Sequence, residues 1–171
     1  MTERIRTGFF AILPTPFTDH GDVDEASLMR LLQHQIEIGV DGFLLLAVAS
    51  ESMFLTGAEK QWIVQRVVRE VGSSYPVLVA AYEPATRPVV EQAQRWAGLG
   101  ATAVLILPPY VITPGSEAIV RHVDAVAQAL DVPVVLQDEP NTSGVSLGAN
   151  LIARIVQEVT GVKAVSYTHL T

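Results

Sequence analysis

Short apolar runs alternate along the chain with longer amphipathic stretches. "GFFAIL" (Gly8–Leu13) is apolar and closed by Pro14 and Pro16, the pattern of a buried strand. "DEASLMRLLQHQIEIG" follows, with Leu28, Leu31, Leu32, Ile36 and Ile38 near helical spacing, acidic residues at its start and Gly39 at its stop. The same alternation recurs: strand "GFLLLAV" and helix "TGAEKQWIVQRVVREVG", strand "PVLVAAY" and helix "TRPVVEQAQRWAGLG". It continues through "ATAVLILPP" and "SEAIVRHVDAVAQAL", then "VPVVLQ" and "GANLIARIVQEVTG", and "VKAV" opens a sixth strand. Thr56 with Glu59 three residues on has the form of a capping box.

Strands that are apolar throughout are buried on both faces, as a parallel sheet under helices requires. Five βα units at about 25–35-residue spacing predict an α/β fold, either doubly wound or a closed (β/α)8 barrel. No Gly-x-Gly-x-x-Gly follows the first strand, which counts against a dinucleotide-binding sheet. A complete barrel takes eight units and roughly 250 residues. This chain has 171 residues, enough for one sizeable domain and short for two.

Composition narrows the function. Hydrophobic residues make up 49% and charged residues 17%, a globular balance. A net charge of −7 without a basic cluster argues against nucleic acid and anionic membranes as partners. No apolar run approaches the ~18 residues that span a bilayer, and "MTERIRTG" lacks a signal-peptide core. Zero cysteines exclude thiol catalysis and cysteine-held metals and make a cytoplasmic location the expectation. None of the four histidines stands at ligand spacing from another, so no metal is expected.

In a barrel, chemistry sits at the C-terminal ends of the strands. The polar residues there are "PTPFTDHGDVD" after strand one, Ser50, Glu51 and Ser52 after strand two, and Tyr110 after strand four. After strand five come Gln137, Asp138, Glu139 and Asn141. Each also has an ordinary reading: Ser and Asp begin helices, Pro and Gly make turns, and Tyr covers a rim. Asp138 and Glu139 adjoin on a strand, so they point to opposite faces and do not converge as an acid/base pair. Lys163 differs in kind. In an apolar strand a buried ammonium is costly, and desolvation frees the neutral amine that attacks a carbonyl to give a Schiff base. The alternative is a lysine just past Gly161, facing solvent at the strand entrance.

Taken together, these residues resemble the dihydrodipicolinate synthase / N-acetylneuraminate lyase family, class I Schiff-base lyases built on a (β/α)8 TIM barrel. The resemblance runs from about Gly8 to Lys163. "GFFAILPTPFTDHGDVDEASL" is similar to the family's opening strand and Thr-Pro-Phe turn, and "GVDGFLLLAVASESMFLT" to its Gly-Thr-Thr-Gly-Glu-Ser stretch. "LPPYV" lies where the family has Pro-Tyr-Tyr, "VPVVLQDEPNTSG" matches Tyr-Asn-x-Pro, and "GVKA" matches Gly-Ile-Lys-Glu. The resemblance implies that Lys163 forms an imine with pyruvate or another 2-keto acid, with no cofactor beyond that covalent link. It implies substrate contacts at Ala49, Ser50, Glu51, Tyr110 and Asp138, and a homo-oligomer, dimer or tetramer, in the parent protein.

The departures bear on the reaction. The family's two threonines after strand two fall on Val48 and Ala49, and its second tyrosine after strand four falls on Val111. Its proton-shuttling tyrosine falls on Gln137, and the synthase arginine falls on Thr142. An amide cannot replace a phenol as acid or base. The expectation is therefore a lyase, aldolase or dehydratase, acting on pyruvate or a sugar-derived 2-keto acid, with Gln137 in the catalytic set and Asp138 or Glu139 as base if either faces inward. A non-catalytic 2-keto acid or sugar-acid binding relative is the alternative. Residues 1–164 are expected to be the N-terminal part of one barrel domain. The transposase mosaic-end adaptor of sequencing libraries, read as xCT GTC TCT TAT ACA CAT CTG ACG, encodes VSYTHLT, identical to residues 165–171. That tail is accordingly expected to be adaptor read-through. A chain broken at strand six leaves strand edges uncovered, so aggregation or unfolding in isolation is expected too.

Overall fold

The computed structural model describes residues 8–167. The chain divides into two compact units, Met1–Ala80 with Leu99–Thr102, and Ala81–Gly98 with Ala103–Thr171.

In the first unit, strand β1 (Phe10–Ile12) leads to helix α1 (Glu25–Glu37), strand β2 (Gly42–Leu45) to helix α2 (Gly57–Val71), and strand β3 (Val77–Ala81) starts here. β1 pairs with β2 and β2 with β3, both in parallel. β1 is shorter than its apolar run. The Phe9 N–H turns aside to the Asp41 carboxylate at 2.7 Å, and Pro14 ends the other side. Phe43, Leu45, Val77 and Val79 of the strands are buried, as are Leu28 and Leu32 of α1 and Ile63, Val64 and Val67 of α2. These helix positions repeat at three- and four-residue spacing, which is why one stripe of each helix is covered. Gly42 lets the strands close up: a Cβ there would stand 2.8 Å from the Pro76 carbonyl oxygen. The Thr56–Glu59 capping box forms at the start of α2.

In the second unit, helix α3 (Thr86–Gly98) precedes strand β4 (Ala103–Ile106), helix α4 (Ser116–Gln128) and strand β5 (Val134–Asp138). A short helix α5 (Pro140–Ser143), helix α6 (Ala149–Glu158) and strand β6 (Val162–Tyr167) follow. β4 pairs with β5 and β5 with β6, again in parallel. The strand–helix alternation with parallel neighbours in chain order is that of a (β/α)8 barrel over its first five units and sixth strand. The apolar runs are buried as expected: β4 entirely, and β5 from Val134 to Gln137. Helix α5 has no counterpart among the expected elements. Glu139 caps it, Pro140 begins it and Gly144 ends it at φ 69°.

Among the described residues no helix is long and apolar enough to cross a membrane, and no His, Asp and Glu cluster could hold a metal ion. His169 lies outside the described residues.

Candidate active site

The strand ends are where the backbone departs from ordinary conformations. In the first unit, Leu46 (φ 57°) follows β2, and Glu51 (φ 56°) joins two short 3₁₀ turns, Val48–Ser50 and Ser52–Phe54. In the second, Val111 after β4 sits at φ 80°. Left-handed backbone is uncommon outside glycine and strained for a β-branched side chain, and such strain gathers at functional sites.

The hydroxyls around the first unit's turns are spent on the main chain. Ser50 is buried and its Oγ donates to the Leu13 carbonyl at 2.8 Å, while the Thr15 hydroxyl donates to the Ser50 carbonyl at 2.7 Å. These two bonds tie the end of β1 to the turn after β2. Ser52 is buried as well, whereas Ala49 and Glu51 are exposed.

The second unit arranges its polar side chains differently. Tyr82, the residue after β3, is buried, and its hydroxyl donates to Gln137 Oε1. Burial, then the charge of Glu139, pushes the Tyr82 phenol far above its ordinary range, so it stays protonated and acts as a donor. The Tyr110 hydroxyl donates to the Tyr82 carbonyl at 3.2 Å, and burial followed by Glu83 raises its pKa too. Tyr110, Tyr82 and Gln137 thus form one connected chain. Tyr82 and Glu83 were missed by the sequence reading. The signal was present: "PVLVAAYE" places a tyrosine and a carboxylate at the C-terminal end of strand three, where the barrel rule looks for chemistry.

The two carboxylates at the end of β5 do structural work. Asp138 Oδ1 accepts the Leu147 N–H at 3.0 Å, and Glu139 Oε2 accepts the Thr142 N–H at 2.6 Å as the N-cap of α5. Asp138 and Gln137 alternate across β5, so the side chain of Asp138 lies on the face opposite that of Gln137. The condition set for either carboxylate as a base was an inward-facing side chain; Asp138 and Glu139 are both bonded to backbone N–H groups.

Lys163 sits at a β-bulge. Val134 pairs with Val162, but Val135 pairs with Ala164, leaving Lys163 as the extra residue. Alternation counted from Val162 and alternation counted from Ala164 put Lys163 on opposite faces, because the bulge breaks the two-residue period at this position. Its side chain is exposed rather than buried, because β6 has a strand on one side only among the described residues. Gln137 pairs with Ser166, three positions beyond Lys163 and about 10 Å along the strand.

His122 is a separate buried polar group. It lies on α4 with Nδ1 3.0 Å from the Thr86 hydroxyl, and burial depresses its pKa to about 4, offset in part by the Leu107 backbone.

Comparison with known proteins places this arrangement. The sequence profile of the Dihydrodipicolinate synthetase family matches residues 6–169. A 4-hydroxy-tetrahydrodipicolinate synthase of Phocaeicola vulgatus is 33% identical over 158 residues, covering 92% of this chain and 53% of that protein. A Pseudomonas aeruginosa protein assigned as a dihydrodipicolinate synthetase superposes with a TM-score of 0.90 at 32% identity, over 94% of this chain and 55% of its own. The chloride-inhibited dihydrodipicolinate synthase of Acinetobacter baumannii, solved with pyruvate, gives a TM-score of 0.90 at 25% identity, over 94% and 55%. The chain spans about half the length of the curated relatives it matches. It belongs to the dihydrodipicolinate synthetase family.

Proposed function

We propose that the protein is a Schiff-base lyase, an aldolase or dehydratase, that acts on pyruvate or a sugar-derived 2-keto acid through Lys163. The neutral amine of Lys163 attacks the C2 carbonyl, water leaves, and the protonated imine becomes an electron sink for breaking a neighbouring C–C or C–O bond. Gln137 orients substrate and transfers no proton, since an amide is neither acid nor base in the working range. Ala49 and Glu51, both exposed, are our candidates for substrate contact in the first unit. The single observation that supports this reading is that Lys163, at a bulge in β6, is exposed to solvent in a chain of this family.

A non-catalytic 2-keto acid binder is the second reading. It is favoured by one observation: beside Gln137, both carboxylates are already engaged by backbone N–H groups. The two readings separate in one experiment on the full-length protein. It is incubated with pyruvate and borohydride, and the adduct is mapped by mass. A reduced adduct on Lys163, absent in Lys163→Ala, with turnover of a 2-keto acid, supports the lyase; binding without an adduct supports the second reading.

A further inference from the structure

We propose that His122 is a positioning residue, holding to α4 the two strand-end loops that carry Tyr82 and Tyr110. The inference rests on the proposed 2-keto acid site and says what keeps that part of it in place. His122 is not a member of the Tyr110–Tyr82–Gln137 chain; it acts on the residues that flank it. The stretch after β3 runs from Tyr82 to Ala85 and leads into Thr86, the first residue of α3. The stretch after β4 runs from Leu107 to Tyr110 and on to Val111 and Ile112. His122 meets both. Its Nδ1 lies 3.0 Å from the Thr86 hydroxyl, and the Leu107 backbone acts on the same ring, opposing the fall in pKa that burial causes. The outer parts of both stretches are uncovered: Pro84, Ala85, Val111 and Ile112 are exposed, and Val111 is strained at φ 80°. Their inner ends must therefore hold them. There the Tyr110 hydroxyl on the Tyr82 carbonyl ties the loops to each other at 3.2 Å, and His122 ties both to the helix layer.

Packing alone does not account for a histidine here. The residue is 2% exposed, and Nε2 is a buried atom with no hydrogen-bond partner. An unpaired buried polar atom is destabilising, and a leucine would fill the space without that cost. What a leucine lacks is an acceptor for the Thr86 hydroxyl. The ring is neutral at pH 7, because burial depresses its pKa to about 4, so one of its two nitrogens is bare. The Leu107 backbone favours a proton on the ring, and Thr86 already occupies the Nδ1 side. The proton therefore sits on Nε2, and Nδ1 accepts from Thr86 at the first turn of α3. Thr86 is four residues beyond Tyr82 and Leu107 three before Tyr110, so a fixed ring fixes the backbone that carries both phenols.

The test uses the full-length protein with tyrosine isotopically labelled at Cζ, read by NMR, together with pyruvate binding by calorimetry. His122→Leu and Thr86→Val each remove one side of the bond, and His122→Asn restores an acceptor. Tyr75, packed edge-on against Phe43 in the first unit, is the internal control. The expected result is that the Tyr82 and Tyr110 signals shift in His122→Leu and Thr86→Val, return in His122→Asn, and leave Tyr75 in place throughout. Pyruvate affinity falls about tenfold in the first two variants and recovers in His122→Asn, as displacement of a positioned group predicts. The double variant His122→Leu with Thr86→Val loses no more than either single one, as coupled residues do. Thr86→Val, at a half-buried position, serves should His122→Leu fail to fold. Unmoved Tyr82 and Tyr110 signals, a Tyr75 signal that moves with them, no rescue by asparagine, or unchanged pyruvate affinity would each overturn the proposal. Failure of the 2-keto acid reading is separate. It shows as no pyruvate binding to the unaltered protein, and the tyrosine signals, which need no ligand, then decide the positioning alone.

Discussion

The strand ends of the two units treat their hydroxyls in opposite ways. After β1 and β2, Thr15 and Ser50 give theirs to backbone carbonyls, and nothing of those groups is left to donate elsewhere. After β3, β4 and β5, Tyr82, Tyr110 and Gln137 are linked in series, and the series ends in an amide nitrogen without a partner among the described residues. The first arrangement fixes a loop; the second presents a donor. A serine that matches a family motif, such as Ser50, is therefore not shown to touch substrate by that match. It can be retained because it closes a turn.

Three measurements would sharpen or break this contrast. The largest effect is expected at His122, whose buried ring belongs to neither arrangement. Its folded pKa, about 4, lies below the ordinary 6.5, so the folded state holds the neutral ring while the unfolded chain takes up a proton. Its contribution is fully present above pH 6.5 and is lost as pH falls toward 4, by about 3 kcal/mol in all. Urea unfolding at pH 7, 6 and 5 should show this decline, and His122→Leu should flatten that part of it. Next comes Ser50→Ala. It leaves the buried Leu13 carbonyl without its donor and should cost about 1–3 kcal/mol in the same assay. A cost near zero would mean that the turn after β2 does not depend on this bond and would remove one side of the comparison. The smallest is Thr56→Ala, which deletes the capping-box hydroxyl of α2 and should cost about 1 kcal/mol.

The alternation of strands and helices was legible because each apolar run is short enough for a strand and each helix carries its own stripe. The capping box at Thr56 and Glu59 was legible for a similarly local reason. What escaped depends on pairing across distance. Tyr82 ends an apolar run without a motif, and its partner Gln137 lies 55 residues further on. The bulge at Lys163 follows from the register between β5 and β6, which a run such as "GVKAV" does not encode. Exposure of Lys163 has the same origin: a strand apolar in sequence is covered only where a neighbouring strand lies beside it. Helix α5 is a milder case. Glu139 and Pro140 carry the signals of a cap and a first helical residue, but four residues are too few to show periodicity.

The central claim is that Lys163 is the imine-forming amine. Incubation of the full-length protein with pyruvate and borohydride, followed by peptide mass mapping, tests it most directly. The account predicts a reduced pyruvyl adduct on the peptide containing Lys163 and none in Lys163→Ala. An unmodified Lys163 with pyruvate and with a panel of sugar-derived 2-keto acids would contradict it.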